Sequence, residues 1–300
     1  MGSGRVIQLV RHAALGFAAV IVANCAFAQA SSQSPILTTA ENSPAQQLIA
    51  DPFVVNLGIF VVQATNRVAL DGTANVRGDS VDFGNTFGTN GNATRFRADA
   101  LWRITPTQHV FFMWFTNDVT GTRTLNKDIN WGDETFKAGF SATGEVRNNI
   151  YELSYEYAFL KERDYEVAAS IGVHYDQIKA TISGTATVTL PDGTVQSASA
   201  ETKTASAPAP LPVIGLRGNW AATDHILLDG QAQVFKISYQ GIDGSWWDLR
   251  AEAAWMFSHH LGVGIGYDYF DIHASTNKTN FNGSISWGYQ GLMAFVRGGF

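Results

Sequence analysis

From Arg95 to Ile104 the side chains sort by parity. Phe96, Ala98, Ala100, Trp102 and Ile104 alternate with Arg95, Arg97, Asp99, Leu101 and Arg103. Successive residues of a β-strand point to opposite faces, so this stretch reads as a strand with one apolar and one charged side. The pattern recurs downstream. Tyr151, Leu153, Tyr155, Tyr157 and Phe159 oppose Glu152, Ser154 and Glu156; Val167, Ala169, Ile171 and Val173 oppose Glu166, Ser170, Gly172 and His174. Arg217 and Asn219 share a face opposite Leu216 and Trp220. The runs 226–234 and 247–257 set Asp229, Gln231 and Gln233, and Asp248, Arg250 and Glu252, on one side each. In 261–269 that side carries Asp268 and three glycines. Phe53 to Val61 alternates with Asn56 and Gly58, and only His109 to Phe115 is apolar on both faces.

The chain's beginning reads as an export signal over residues 1–28. Arg5 and Arg11 precede the apolar stretch Ala13 to Ala23, and Ala26-Phe27-Ala28 supplies a small-x-small cleavage pattern. Cys25, the one cysteine, lies inside it; a lipoprotein reading would acylate Cys25, but Asn24 stands where a small residue is expected. With cleavage after Ala28 no cysteine is left to form a disulfide. Removing two arginines and no acid from 20 Lys plus Arg and 26 Asp plus Glu leaves 18 against 26, a net charge of −8. So acidic a chain argues against nucleic-acid partners.

No apolar run after the signal exceeds the six residues from Val110 to Phe115, far short of the ~20 that a spanning helix requires. Yet hydrophobic residues make up 45% of the chain and aromatics 12%. An exported chain with this much apolar surface and no spanning helix needs an apolar solvent outside its strands. An arginine facing lipid at mid-membrane costs roughly 2–4 kcal/mol, so Arg95, Arg97 and Arg103 fix which face looks inward.

Two further patterns agree. Connections alternate in length: 105–107, 161–164, 221–224 and 258–260 are short, whereas about 65–93, 120–146, 178–210, 240–245 and 274–278 are longer. Trp131-Gly132-Asp133 and Pro191-Asp192-Gly193 mark turns within two of the long ones, which are expected to rise as hairpins. Outward aromatics recur at strand ends, Tyr151 with Phe159, Tyr165 with Tyr175 and Trp247 with Phe257. Their spacing spans about 20–25 Å along a tilted strand, the height of an apolar belt.

Together these predict an all-β fold, a transmembrane antiparallel up-and-down barrel of about ten strands, with eight to twelve possible. It occupies residues 52–300, with long extracellular loops. Residues 29–51 are expected to be a flexible periplasmic leader, with a short plug as the alternative. At the far end Leu292, Ala294, Val296 and Gly298 share a face with Phe300. Phe281, Ile285, Trp287 and Tyr289 fall on the other, and a bulge at Gly288 to Gly291 would bring the two sets to one side.

Ending on Phe300 in such a strand, the chain resembles the bacterial outer-membrane β-barrels. The resemblance implies a Gram-negative outer membrane, outer-membrane lipid and lipopolysaccharide as surroundings, and Phe300 as the closing residue read by the assembly machinery. In a barrel this narrow the inward charges are expected to cross-pair and fill the lumen: Arg95, Arg97, Arg103, Arg217 and Arg250 with Asp99, Glu152, Glu156, Glu166, Asp176, Asp229, Asp248, Glu252 and Asp268. The alternative is a narrow conduit whose acidic excess favours cations.

Asp271-Ile272-His273 is similar to the Asp-x-His pair of the omptin proteases, which implies a surface hydrolase with His273 as general base. The omptin pattern also needs an Asp-x-Asp pair, and this sequence has none. His273-Ala274-Ser275 is similar to the His-x-Ser of the lipid A deacylases, but no acidic residue follows it. His109, His225, His259 and His260 fall at short turns, where solvation is the default, and His174 joins the inward polar packing near Asp176. No cofactor or metal is expected, since no histidine pair has ligand spacing with a third partner. The Asn/Gly-rich 85–92 lacks the carboxylates of a calcium loop. The reading is a noncatalytic barrel, structural, surface-interacting or narrowly permeable, with its surface ligand open.

Overall fold

A computed structural model of the chain describes residues 41–72, 77–188, 190, 194–195, 199–239, 242–278 and 281–300. The export segment 1–28 and the turn 191–193 lie outside these.

Alternation becomes architecture here because each backbone N–H and C=O inside a membrane must be paired by a neighbouring strand. Ten strands do this in a closed circle: β1 (Phe53–Leu70), β3 (Ala93–Arg103), β4 (Gln108–Thr116), β8 (Ser141–Lys161), β9 (Tyr165–Val188), β10 (Ser199–Ala221), β11 (Ile226–Tyr239), β12 (Ile242–Met256), β13 (Leu261–Lys278) and β14 (Phe281–Gly299). Each pairs antiparallel with its sequence neighbour in the circle, and β14 closes on β1. At the seam Phe53 and Phe300 exchange two backbone hydrogen bonds of 3.0 Å each, and the Phe53 ring stacks between Trp102 and Phe300 at 5.8 and 6.0 Å. The remaining strands are short pieces of the outer connections: β2 (Val81–Asp82), β5 (Val119–Thr124), β6 (Ile129–Trp131) and β7 (Glu134–Phe136).

Outside, Leu57, Ile59, Leu153, Ile171, Ile214, Ile265 and Leu292 are exposed between strand ends ringed by Phe53, Trp102, Trp255 and Phe300 below and Tyr151, Tyr175 and Trp247 above. At ~9–11 residues per tilted crossing, the 21, 24 and 23 residues of β8, β9 and β10 rise well beyond the belt. Much of 120–146, 178–210, 240–245 and 274–278, expected as loop, is therefore strand. Above the belt a ladder does not need an apolar face, so parity gives no sign of it. Gly132 at φ 65° makes the turn between β6 and β7.

Two expectations change, and one strand that parity left open is oriented. β14 pairs without interruption with both neighbours through Gly288 and Gly291, so there is no bulge. Ile285, Trp287 and Tyr289 are buried inside while Leu292 and Val296 face out. Second, the described part of 29–51 is ordered rather than flexible: α1 (Pro44–Ala50) sits in the mouth on the short-turn side. Ser43 and Gln46 form its capping box, and Ala45, Leu48 and Ile49 are buried. The strand left open, β4, is oriented by its surroundings. His109, Phe111, Met113 and Phe115 turn inward, Phe112 and Trp114 outward.

At the opposite mouth apolar side chains form a cap that is continuous with the barrel's apolar interior. α2 (Phe83–Phe87) is capped by the Asp82 side chain and ends at Gly88 in the left-handed region, φ 80°. Its Phe83 and Phe87 pack with Leu125, Ile129, Trp131 and Phe136, and Phe83 meets Trp131 edge-on at 5.7 Å.

Candidate functional site

The lumen is filled in tiers. Nearest α1, Arg103 donates to the carbonyls of Asp51 at 2.8 Å and Leu48 at 3.3 Å, and Lys161 donates to that of Ile49 at 3.3 Å. These cations satisfy orphan carbonyls at the helix C-terminus. Glu166 lies beneath both, 3.7 Å from Arg103 and 2.8 Å from Lys161, with His109 Nδ1 at 3.7 Å. His109, expected as a solvated turn residue, is thus sealed inside because it opens β4 on the inward parity.

The next tier crosses the barrel. Arg217 pairs with Glu156 at 2.9 Å, and Arg217 and Arg250 both donate to Gln231 Oε1, at 2.8 and 2.7 Å. Arg250 stands 3.9 Å from Asp99 and 3.8 Å from Glu252. Arg97 pairs with Asp268. Both Arg217 and Arg250 also lie over the Phe111 ring, at 3.9 and 5.4 Å. Arg297 ties Asn56 (2.8 Å), Glu252 (2.7 Å) and Asp229 together, and Asn56 passes the link to Asp99 at 2.7 Å. Arg297, which the parity of the last strand sets on the face opposite Val296, was not among the residues expected in the lumen network. Arg95 is not part of this network; it sits at the upper end of β3 and bonds Asn117 at 3.1 Å and the Asp118 carbonyl.

Above the ion pairs, Glu152, His174, Asp176 and Asp248 form a fully buried group. His174 Nε2 is 3.3 Å from Glu152 and 3.9 Å from Asp248. An aromatic tier roofs it. Phe60, Phe115, Trp246, Phe270, Trp287 and Tyr289 are buried, with Phe270 stacked on Tyr289 at 5.1 Å and Trp246 4.6 Å from the His174 ring.

Asp271 and His273 are placed elsewhere. They lie on the outward face of β13 above the belt, with Nδ1 of His273 3.6 Å from Asp271 Oδ2 and the imidazole 60% exposed. His273 lines an outer recess of about 360 Å³ with Arg67, Lys236, Asp243 and Ser245. Register partners place Lys236, Ser245, His273, Ser286 and Arg67 in one row across five strands. The other turn histidines bond carbonyls: His225 to Met256 at 2.8 Å, His259 to Asn42 at 3.2 Å and His260 to Gly299 at 3.0 Å.

A closed ten-stranded circle with an apolar belt outside and paired charges inside decides the class. The chain has the fold of the bacterial outer-membrane β-barrels. It is similar to the outer membrane protease OmpT of Escherichia coli, with a TM-score of 0.56, 11% identity, and 90% of this chain and 100% of that one covered. At that identity the likeness is one of fold. Other outer-membrane barrels align with lower scores: the Pseudomonas putida toluene transporter TodX at 0.34 (8% identity; 87% and 93% covered) and Ail of Yersinia pestis at 0.28 (9%; 82% and 97%). No protein-family model matches, and no curated protein does. An outer-membrane location accords with the barrel and its belt.

Proposed function

We propose that this is a noncatalytic barrel of a Gram-negative outer membrane, acting through its outer surface rather than by conduction or hydrolysis. The carrying observation is the filled lumen: α1, cross-barrel ion pairs such as Arg297 with Glu252, and the aromatic roof stand in series along the barrel axis. The burial of these groups among the described residues supports a closed lumen over the narrow-pore form of the reading. Planar-bilayer recording of refolded protein tests this. No steady conductance is expected, and stepwise cation-selective currents would overturn it.

The outer row fits the second half of the reading. Arg67 and Lys236 face outward above the belt, and Arg147 and Lys179 are register partners four residues above Tyr151 and Tyr175; Arg67 also pairs with Asp82 and Arg147 with Glu145. Cations there suit the phosphates of lipopolysaccharide, the proposed surrounding partner.

A surface hydrolase is the second reading, favoured by the Asp271 carboxylate beside His273 and by Asp243 in the same recess. Cleavage of peptide or lipid A by the intact barrel, lost in His273→Ala, would establish it over the first.

A further inference from the structure

The inward charges do not balance. Among the described strand residues that face the lumen, Arg97, Arg103, Arg217, Arg250 and Arg297 are five against the nine carboxylates Asp99, Glu152, Glu156, Glu166, Asp176, Asp229, Asp248, Glu252 and Asp268; Lys161 supplies a sixth cation, leaving three carboxylates in excess, and Asp51 beside α1 is a further buried one. Uncompensated charge in a dry interior is costly enough that it must find a counterion or a proton. The shortfall has a location. Among the described residues, Asp248 and Asp176, on either side of His174, are both fully buried, and none of their oxygens meets a hydrogen-bond donor.

Asp248 faces Glu152 and His174, and one ligand atom from each of the three lies within 4.8 Å of the others. Their spacing suits a shared ion. A cation about 2.0–2.2 Å from each N or O ligand holds those atoms roughly 3–4.4 Å apart, and His174 Nε2 stands 3.3 Å from Glu152 Oε2 and 3.9 Å from Asp248 Oδ2. The surroundings leave one atom of each residue free. Ser154 and Gln233 both donate to Glu152 Oε1, so Oε2 remains. Asp176 Oδ1 stands 4.0 Å from the other ring nitrogen of His174, Nδ1, too far for a hydrogen bond but on the side from which a carboxylate orients a metal-bound imidazole. The Gln233 Oε1, also buried without a donor, is a fourth oxygen beside the group.

We infer that Glu152, His174 and Asp248 bind one divalent transition-metal ion, sealed beneath the aromatic roof. One imidazole with two carboxylates suits Zn²⁺, Mn²⁺ or Fe²⁺ better than Ca²⁺ or Mg²⁺, which take oxygen ligands. The ion is structural: it joins β8 and β9 to β12 across the lumen and supplies two of the missing positive charges. His174 and Glu152 are register partners on adjacent strands, so two ligands are set by the ladder and the third arrives when the barrel closes.

Because the site is sealed, metal must enter during folding. Full-length protein is refolded into detergent with Zn²⁺ or with EDTA and desalted. Metal content is then read by mass spectrometry, and folding by heat-modifiable gel mobility. One zinc per chain is expected in the wild type, with an X-ray absorption edge showing only N and O ligands, imidazole among them. His174→Gln and Asp248→Asn are expected to fold and to retain less than a tenth as much, while Asp176→Asn binds 10–100-fold more weakly. Folded wild type retaining no stoichiometric zinc would overturn the inference, leaving a protonated His174 as the counterion. So would His174→Gln retaining as much as wild type. Should that variant not fold, the absorption spectrum of the wild type decides by the presence or absence of imidazole.

Discussion

Arg297 Nη2 donates to Glu252 Oε2 at 2.7 Å, reaching from β14 past β13 to β12. Both groups are buried, and Arg297 also holds Asn56 and Asp229, so one guanidinium links strands from both sides of the seam where β14 meets β1.

Removing one member of such a pair strands the other in the dry lumen. Arg297→Met is expected to destabilise the barrel by about 3–5 kcal/mol, the range for a broken buried pair. Replacing both partners removes the carboxylate that this pair strands, although Asp229 still loses its guanidinium, so Arg297→Met with Glu252→Leu should lose less than the sum of the single changes. Equilibrium urea unfolding from lipid vesicles measures the cycle; strict additivity would mean that the two side chains do not interact.

Parity made the belt and the strand circle readable, because lipid penalises a misplaced charge. In 94–104, 149–159, 226–234 and 247–257 each strand carries charged or amide groups on one face, and those faces are the lumen. The sign was lost where the inward face is itself apolar. Trp287 and Tyr289 obey the same two-residue period whether they face lipid or the aromatic roof, and only the unbroken pairing with β13 and β1 decides. His174 and Asp248 lie 74 positions apart, and nothing local announces that a closed circle brings them together. α1 was the opposite case. Ser43-Pro44-Ala45-Gln46 carries a capping box and a proline at the first turn, a legible start for a helix too short for a periodicity test.

The belt can be probed at Ile265, 67% exposed on β13. Ile265→Arg should cost ~2–4 kcal/mol in lipid vesicles. Ser286→Arg, in the outer row between His273 and Arg67, should change stability by less than ~0.5 kcal/mol, since it lies beyond the apolar zone. Equal costs at the two positions would place the belt wrongly.

Seven residues make a poor helix alone, so α1 depends on its contacts. Arg103 and Lys161 hold its last carbonyls, and a hydrogen bond to a charged group contributes about 1.5–3 kcal/mol. Arg103→Met with Lys161→Met should release the helix from the mouth. Protease presented to that mouth in proteoliposomes is expected to cut residues 41–51 at least tenfold faster than in the wild type. Conductance should stay absent, because the ion pairs and the aromatic roof remain; an open channel in this variant would show that α1 alone closes the lumen.

The outer cap should fail independently of the barrel. Gly144 lies on β8 against the ring of Phe87, where a Cβ would fall within the space the ring occupies. Gly144→Val therefore has to expel Phe87, a side chain only 2% exposed. Forfeiting the burial of one phenylalanine costs about 1.5–3 kcal/mol, enough to raise the open population of the cap tenfold or more. The ten-stranded ladder does not pass through Phe87, so heat-modifiable mobility should be unchanged. Limited proteolysis from outside, read at residues 77–92, should accelerate by the same factor. A fall in barrel stability with no change in cleavage would mean that the cap and the cylinder fold as one unit.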